Sequence, residues 1–338
     1  MFEHILVPLD GSLRAEAALP IAARIAHATG SSVALLQVVS IAMGYEGYGS
    51  GLGMGTGYGG GSMGMGSGLG IVTPLNSEKI NATEQTKATT YLTRLVTSDQ
   101  FAGISPTTNV VFGRPAPEIL ACVDQQASNL IILCSHGRTG FLRWVLGSVA
   151  QRVIHHSPVP VLVVHEEGST TPALHADAAH PFCVTVALDG SLLAETALLP
   201  AAHLAAALAQ PAQGVVHLLN VVKPSMFAAH SAIPSQHDTE DVERVQAYLQ
   251  SVRERLLTET SNLHLQVTWS VMPAQDVAET IVTGAEGTGE NRSDVIALAT
   301  HGYGGIERWV MGSVTERVIG ASTVPVLVVR PPQNALHT

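Results

Sequence analysis

Ser135–Val164 reads SHGRTGFLRWVLGSVAQRVIHHSPVPVLVV, and Thr300–Val329 reads THGYGGIERWVMGSVTERVIGASTVPVLVV. The second stretch lies 165 positions after the first, and 19 of the 30 aligned residues are identical. Unrelated segments would agree at only a few positions, so the chain contains a duplicated unit. Both copies keep a glycine (Gly137, Gly302), nine further residues, and then Gly147-Ser148 or Gly312-Ser313. A helical run follows, and behind a proline comes a short apolar strand, Val161–Val164 or Val326–Val329.

That order of residues suits an anion. A strand ending at Cys134 or Ala299 runs into a glycine, which lets the backbone turn close to a ligand. The Gly-Ser pair then opens a helix whose first N–H groups lack partners and whose dipole favours negative charge. Ser148 and Ser313 can serve as N-caps or as donors to a phosphate oxygen. A capped helix after a loop is the plainer alternative, but retention of both glycines and both serines in two copies favours a binding site.

Composition bounds the rest. The chain has 338 residues, which with a repeat predicts two domains: 1–165, a linker at 166–180, and 181–331. Hydrophobic residues make up 46% and charged residues 13%, enough apolar material for two cores. Net charge is −10, and the 17 Lys and Arg form no run. Nucleic acid and anionic membrane are therefore not expected as partners. No signal peptide is expected ahead of the first strand, and no uninterrupted apolar run of about 18 residues stands out. Three cysteines (Cys122, Cys134, Cys183) sit in apolar segments without a pairing pattern, so a reducing cytoplasm is the expected compartment.

In chain order, strands alternate with helices. Strands are predicted at His4–Leu9, Val33–Val39, Thr108–Phe112, Leu130–Cys134 and Val161–Val164. Helices are predicted at Ser12–Thr29, Asn76–Ser98 and Pro115–Gln126. The second unit repeats this with Phe182–Leu188, Ser191–Ala209, Val215–Val222, Asp238–Glu259, His264–Val271, Ala274–Thr283 and Val295–Ala299. Near-continuous apolar strand runs between helices predict a parallel sheet covered on both faces. Matching Asp10 to Asp189, Val38 to Val221 and Pro115 to Pro273 gives the first half 25 extra residues after its second strand and the second half seven extra later on. The first excess is Gly44–Gly70, with 14 glycines in 27 residues. It reads as a mobile lid or, more plainly, as a tolerated insertion without fixed structure.

Each half resembles a universal stress protein domain, and the chain resembles a tandem member of that family. The matching residues are Val7-Pro8-Leu9-Asp10-Gly11-Ser12, Leu36-Gln37-Val38-Val39, Gly113-Arg114-Pro115-Ala116 and the Ser-His-Gly…Gly-Ser…Val-Pro-Val-Leu-Val-Val ending. The second half repeats them as Ala187-Leu188-Asp189-Gly190-Ser191, Leu219-Asn220-Val221-Val222 and Thr300–Val329. The resemblance implies an α/β fold of two tandem doubly wound domains, like the adenine-nucleotide α-hydrolases. Each would be a five-stranded parallel sheet in the order 3-2-1-4-5, flanked by helices. Such an order puts a topological switch point between the first and fourth strands, where ligands bind at the carboxyl ends.

The resemblance also implies ATP as the ligand, with any Mg²⁺ carried by the nucleotide. Asp10 and Asp189 would lie at the adenosine end with Pro8, and Val38 and Val221 would offer backbone groups to adenine. Gly137, Gly147, Ser148 and Val149 would cradle the phosphates in the first half, with Arg138 in reach. Gly302, Gly312, Ser313 and Val314 would do so in the second. Cys134 and Ala299 stand where ATP-binding members carry the first glycine of the motif, and both are small enough for close backbone approach. Ala187 replaces the family's usual proline. The fifth strands of such domains often pair, which would make the two halves a pseudo-two-fold dimer and leaves room for a further homodimer.

Each candidate also has a plainer reading. Asp10 and Asp189 suit simple helix caps. Arg143 and Arg308 suit solvated surface residues, and His136 and His301 suit structural loop histidines. Cys134 could be a redox-sensitive thiol or simply a small residue closing a strand. No metal site, P-loop or acid–base pair is visible, so no catalytic or metal-binding residue is assigned. The expected function is a nucleotide-dependent stress regulator. The alternatives are a nucleotide-free protein interaction module of the same family, and a weak ATP hydrolase.

Overall fold

Valine-, leucine- and isoleucine-rich runs form central strands buried on both faces, and with the more exposed outer strands they make one ten-stranded sheet among the described residues. In the computed structural model, residues 1–40, 74–135, 146–165, 181–223, 236–287, 292–300 and 311–331 are described. The glycine-rich insertion 44–70 and the linker 166–180 lie outside these residues.

The first half contributes β1 (His4–Leu9), β2 (Ser32–Val39), β3 (Thr107–Phe112), β4 (Leu130–Cys134) and β5 (Val161–Val164). Between them run helices α1 (Leu13–Glu16), α2 (Ala18–Thr29), α3 (Pro74–Val96), α4 (Pro115–Gln125) and α5 (Ser148–His156). The second half contributes β6 (Cys183–Ala187), β7 (Gly214–Val222), β8 (Leu265–Pro273), β9 (Val295–Ala299) and β10 (Val326–Val329). Its helices are α6 (Leu192–Glu195), α7 (Leu198–Ala209), α8 (Gln236–Glu259), α9 (Val277–Ala285) and α10 (Ser313–Ala321). The strand order is β3-β2-β1-β4-β5-β10-β9-β6-β7-β8. Each half is thus a parallel 3-2-1-4-5 sheet, as the resemblance implied.

The halves join edge to edge. β5 and β10 pair antiparallel, with Val326 opposite Val163, Leu327 opposite Leu162 and Val328 opposite Val161. Leu162 and Leu327 are equivalent residues of the duplication, so a local two-fold axis passes between them. The seam covers two edges that would otherwise template association. Arg24 of α2 reinforces it, donating to the Leu208 carbonyl near the end of α7 and lying 5.8 Å from the Phe182 ring centroid. Burial pushes the Arg24 guanidinium down and Asp294 opposes that shift.

Two apolar layers cover the sheet. One packs α2, α3, α7 and α8 against strand residues such as Ile5, Val7, Leu35, Leu162, Val184 and Leu327. The other packs α4, α5, α9 and α10 against Leu6, Leu36, Ile131, Val163 and Val328.

Two expectations need correction. The helix predicted at Ser12–Thr29 is broken at Ala17, and Ser191–Ala209 is broken likewise between Glu195 and Leu198. Pro20 and Pro200 follow each break and have no N–H to bond the preceding turn. Pro273 is not the equivalent of Pro115, because it closes the nine-residue β8, whereas Pro115 opens α4. The buried faces align instead as Ala116, Ile119 and Val123 with Ala278, Ile281 and Ala285, each 162 apart. Both insertions are accordingly shorter than the landmark prolines suggested. Leu192–Ala209 has a mean hydropathy of 1.6 although Glu195, Thr196 and His203 interrupt its apolar run. That window is 61% buried inside the fold, where Leu198, Ala201, Leu204, Ala205 and Leu208 belong to the core.

Candidate functional site

β1 and β4 are neighbours, yet the chain leaves β1 for helices on one face of the sheet and β4 for α5 on the other. The carboxyl ends therefore part at this point, and a cavity of about 750 Å³ opens between them. Pro8, Asp10 and Gly11 form its β1 side, and Gln37 and Val38 its β2 side. Cys134, Ser135, Gly147, Ser148 and Val149 form the far side. Six of the predicted first-half residues, together with Cys134, thus line one cavity. Gly137 and Arg138 lie outside the described residues, as do Gly302 and residues 136, 143, 301 and 308.

The β1 side is built on a tight turn. Gly11 has φ +85° and its counterpart Gly190 +87°, a left-handed conformation that glycine adopts without strain. This turn brings Ser12 N–H and Oγ–H onto Asp10 Oδ1, at 2.9 and 2.6 Å. Ser12 Oγ in turn accepts from Ala15 N–H at 3.2 Å. The N-cap is therefore Ser12, not the predicted Asp10, and Asp10 braces the cap while facing the cavity. Asp189, Ser191 and Ala194 repeat the arrangement at 3.0, 2.6 and 3.1 Å.

The far side is the start of α5. Ser135 is pinned between the end of β5 and the start of α5, its N–H bonding the Val164 carbonyl and its own carbonyl accepting from Gly147 N–H at 2.9 Å. Gly147 is the N-cap and Ser148 the first helical residue. The predicted capping role of Ser148 is thus not used, which leaves its exposed hydroxyl beside the first N–H groups of a nine-residue helix. Ser148, Val149 and Ala150 N–H precede the first α-helical bond, made by Gln151 N–H to the Gly147 carbonyl at 2.8 Å. This end can hold an anion.

The second half places the same positions alike. Asp189 follows β6, Val221 sits at the end of β7, Ala299 ends β9, and Gly312 caps the helix that begins with Ser313 and Val314. Gly312 N–H bonds the Thr300 carbonyl at 2.8 Å. Two second-half side chains bond the backbone where the first half has Gln37 and Ala150. Asn220 Nδ2 donates to the Leu188 carbonyl at 2.8 Å, and Thr315 Oγ1 to the Ala299 carbonyl at 2.9 Å.

Helix α3 walls the first cavity with Glu84, Lys87, Ala88 and Tyr91, residues that sequence reasoning missed. Lys87 Nζ pairs with Glu84 at 2.7 Å, and Arg244 pairs with Asp241 at 3.0 Å on α8. Tyr91 and Tyr248 lie one turn farther along. Burial first, and then Glu16, push the Tyr91 phenol up, and burial and Glu195 do the same to Tyr248. Tyr248 donates to Glu195 at 3.0 Å. The repeated acid, base and tyrosine at matching spacing were a readable signal. The cysteines away from the cavity are core residues, and burial pushes the Cys183 thiol up to about 12.

A doubly wound sheet with a cavity at its switch point and a helix N-terminus on the cavity wall is the arrangement at which α/β proteins of this architecture bind ligands. The sequence model of the universal stress protein family matches residues 1–50, 69–165 and 184–330. The chain belongs to the universal stress protein family, as a tandem of two such domains. A universal stress protein of Mycobacterium tuberculosis is 25% identical over 233 residues, 67% of this chain and 70% of that protein. One from Methanocaldococcus jannaschii is 42% identical over 62 residues, 18% of this chain and 36% of that protein. The crystal structure of a universal stress protein from Archaeoglobus fulgidus superposes with a TM-score of 0.61 at 20% identity, covering 98% of this chain and 99% of that one. That likeness extends the two-domain fold over the whole chain.

Proposed function

We propose that this tandem universal stress protein binds ATP at the carboxyl ends of its strands and acts as a nucleotide-dependent stress regulator in the cytoplasm. The observation that carries the reading is the cavity of about 750 Å³ joining Asp10 and Val38 to Gly147, Ser148 and Val149. Its volume lies within the roughly 300–1,000 Å³ of small-molecule sites. The phosphates would lie on the α5 N-terminus, held by Ser148 and Val149 N–H and the Ser148 hydroxyl. The adenosine would lie toward Asp10, Pro8 and Val38, and Mg²⁺ would arrive on the phosphates. Cys134 leaves room for this approach because only a thiol stands there. Asp189, Val221, Ala299, Gly312, Ser313 and Val314 would frame the second site.

The test is the nucleotide released on denaturing freshly purified protein, followed by a thermal shift with added ATP, since a ligand bound only by the folded state raises the melting point. ATP in the supernatant and a rise in midpoint are expected. Neither appearing would reject nucleotide binding and favour a protein interaction module. Phosphate release over hours at stoichiometric protein would favour a weak hydrolase.

A further inference from the structure

The two crevices differ at one position on the second strand of each half. Gln37 lies opposite Leu9 in the β1–β2 register, and Asn220 holds the corresponding place beside Leu188. Asn220 is buried and its Nδ2 donates to the Leu188 carbonyl at 2.8 Å. Gln37 is one methylene longer, and its amide passes Leu9 to reach the Asp10–Gly11 turn. Its Nε2 lies 3.4 Å from where a Cβ on Gly11 would stand, whereas the same position at Gly190 has nothing within 4 Å. Gln37 lines the cavity, and its buried Oε1 has no hydrogen-bond partner.

A buried carbonyl without a donor is destabilising, because it has left water and gained nothing in return. Asparagine at this place avoids that cost, as the second half demonstrates. Beside a cavity, an amide can turn its unmet acceptor onto a ligand. We propose that Gln37 makes the two crevices unequal, accepting in the first half a hydrogen bond from a donor on the nucleoside, a sugar hydroxyl or a base amine. Asn220 is one methylene shorter and its Nδ2 is held on the Leu188 carbonyl, so its amide does not reach the Asp189–Gly190 turn as Gln37 reaches its counterpart. This inference rests on the nucleotide reading above and assigns the tighter site to the first half.

Two-site calorimetry on the nucleotide-free full chain, with ATP as titrant, tests it. The tighter class should exceed the weaker by roughly fivefold to tenfold, the contribution of about one buried hydrogen bond. Gln37→Leu should abolish that advantage without touching the weaker class, and the melting midpoint of the ligand-free variant should not fall. Deoxy-ATP and inosine triphosphate separate the sources. Whichever analogue lacks the donor should lose the same factor in the natural protein and lose nothing further in Gln37→Leu. Two equal sites in the natural protein would overturn the proposal, as would a tighter class that Gln37→Leu leaves unchanged, while ATP binding itself would stand. No ATP binding at either crevice would remove the nucleotide reading and this inference with it.

Discussion

Leu162→Ala at the seam should destabilise the whole chain, not only the half that carries it. Leu162 is fully buried, sits on the local two-fold axis opposite Leu327, and belongs with it to an apolar layer that runs through both halves. Truncating a fully buried leucine costs about 3–4 kcal/mol when the site cannot collapse, and a site inside a ten-stranded sheet has little freedom to do so. Unfolding entropy of about 2.1 cal/mol/K per residue over 338 residues gives about 0.7 kcal/mol/K, so the midpoint should drop by about 4–6 °C. Leu327→Ala should match it, and the double variant should depart from the sum because paired residues share one cavity. Differential scanning calorimetry with urea unfolding checks both points. Two resolved transitions, only one of them shifted by Leu162→Ala, would refute the seam as the element that couples the halves.

Removing the first-half cap by Ser12→Ala should cost about 1 kcal/mol in urea unfolding, and Ser191→Ala a similar amount, because each serine receives one otherwise unmet helix N–H. His217 is held between Thr268 and Ser270, at 2.9 and 2.8 Å, and burial holds its imidazolium form below the ordinary histidine range. Its folded pKa is lowered, so the unfolded chain binds more protons as pH falls through the ordinary value. Stability is therefore full above that value and declines below it. Melting followed from about pH 7.5 to about pH 5.5 should show this decline, and His217→Gln should flatten it.

Much of the fold was legible because its signals are local. Strand runs such as Leu130–Cys134 and Val161–Val164 need only their own side chains to be recognised, and the repeat at Gly147-Ser148 and Gly312-Ser313 marked the helix start. The break at Ala17 was not legible from the alanine-rich pattern, which continues through it, although Pro20 supplied the reason. The role of Asp10 was half legible. An Asp-Gly-Ser start announces a cap, but which side chain caps depends on the turn that Gly11 makes. The α3 wall escaped because Glu84, Lys87 and Tyr91 look like an ordinary solvated helix face until the sheet places them beside Gln37.

The sequence by itself determined the duplication, the alternation of strand and helix, and the residues gathered at the carboxyl ends, since apolar periodicity and glycine placement act over a few residues. Only the tertiary structure decided the register in which β5 and β10, paired as the resemblance implied, join the halves into one sheet, and that Gln37 Oε1 is left without a partner where Asn220 Nδ2 bonds the Leu188 carbonyl. Strand pairing and the reach of one extra methylene depend on what lies opposite, and across the seam that is set by residues up to 167 positions away, as with Val328 and Val161.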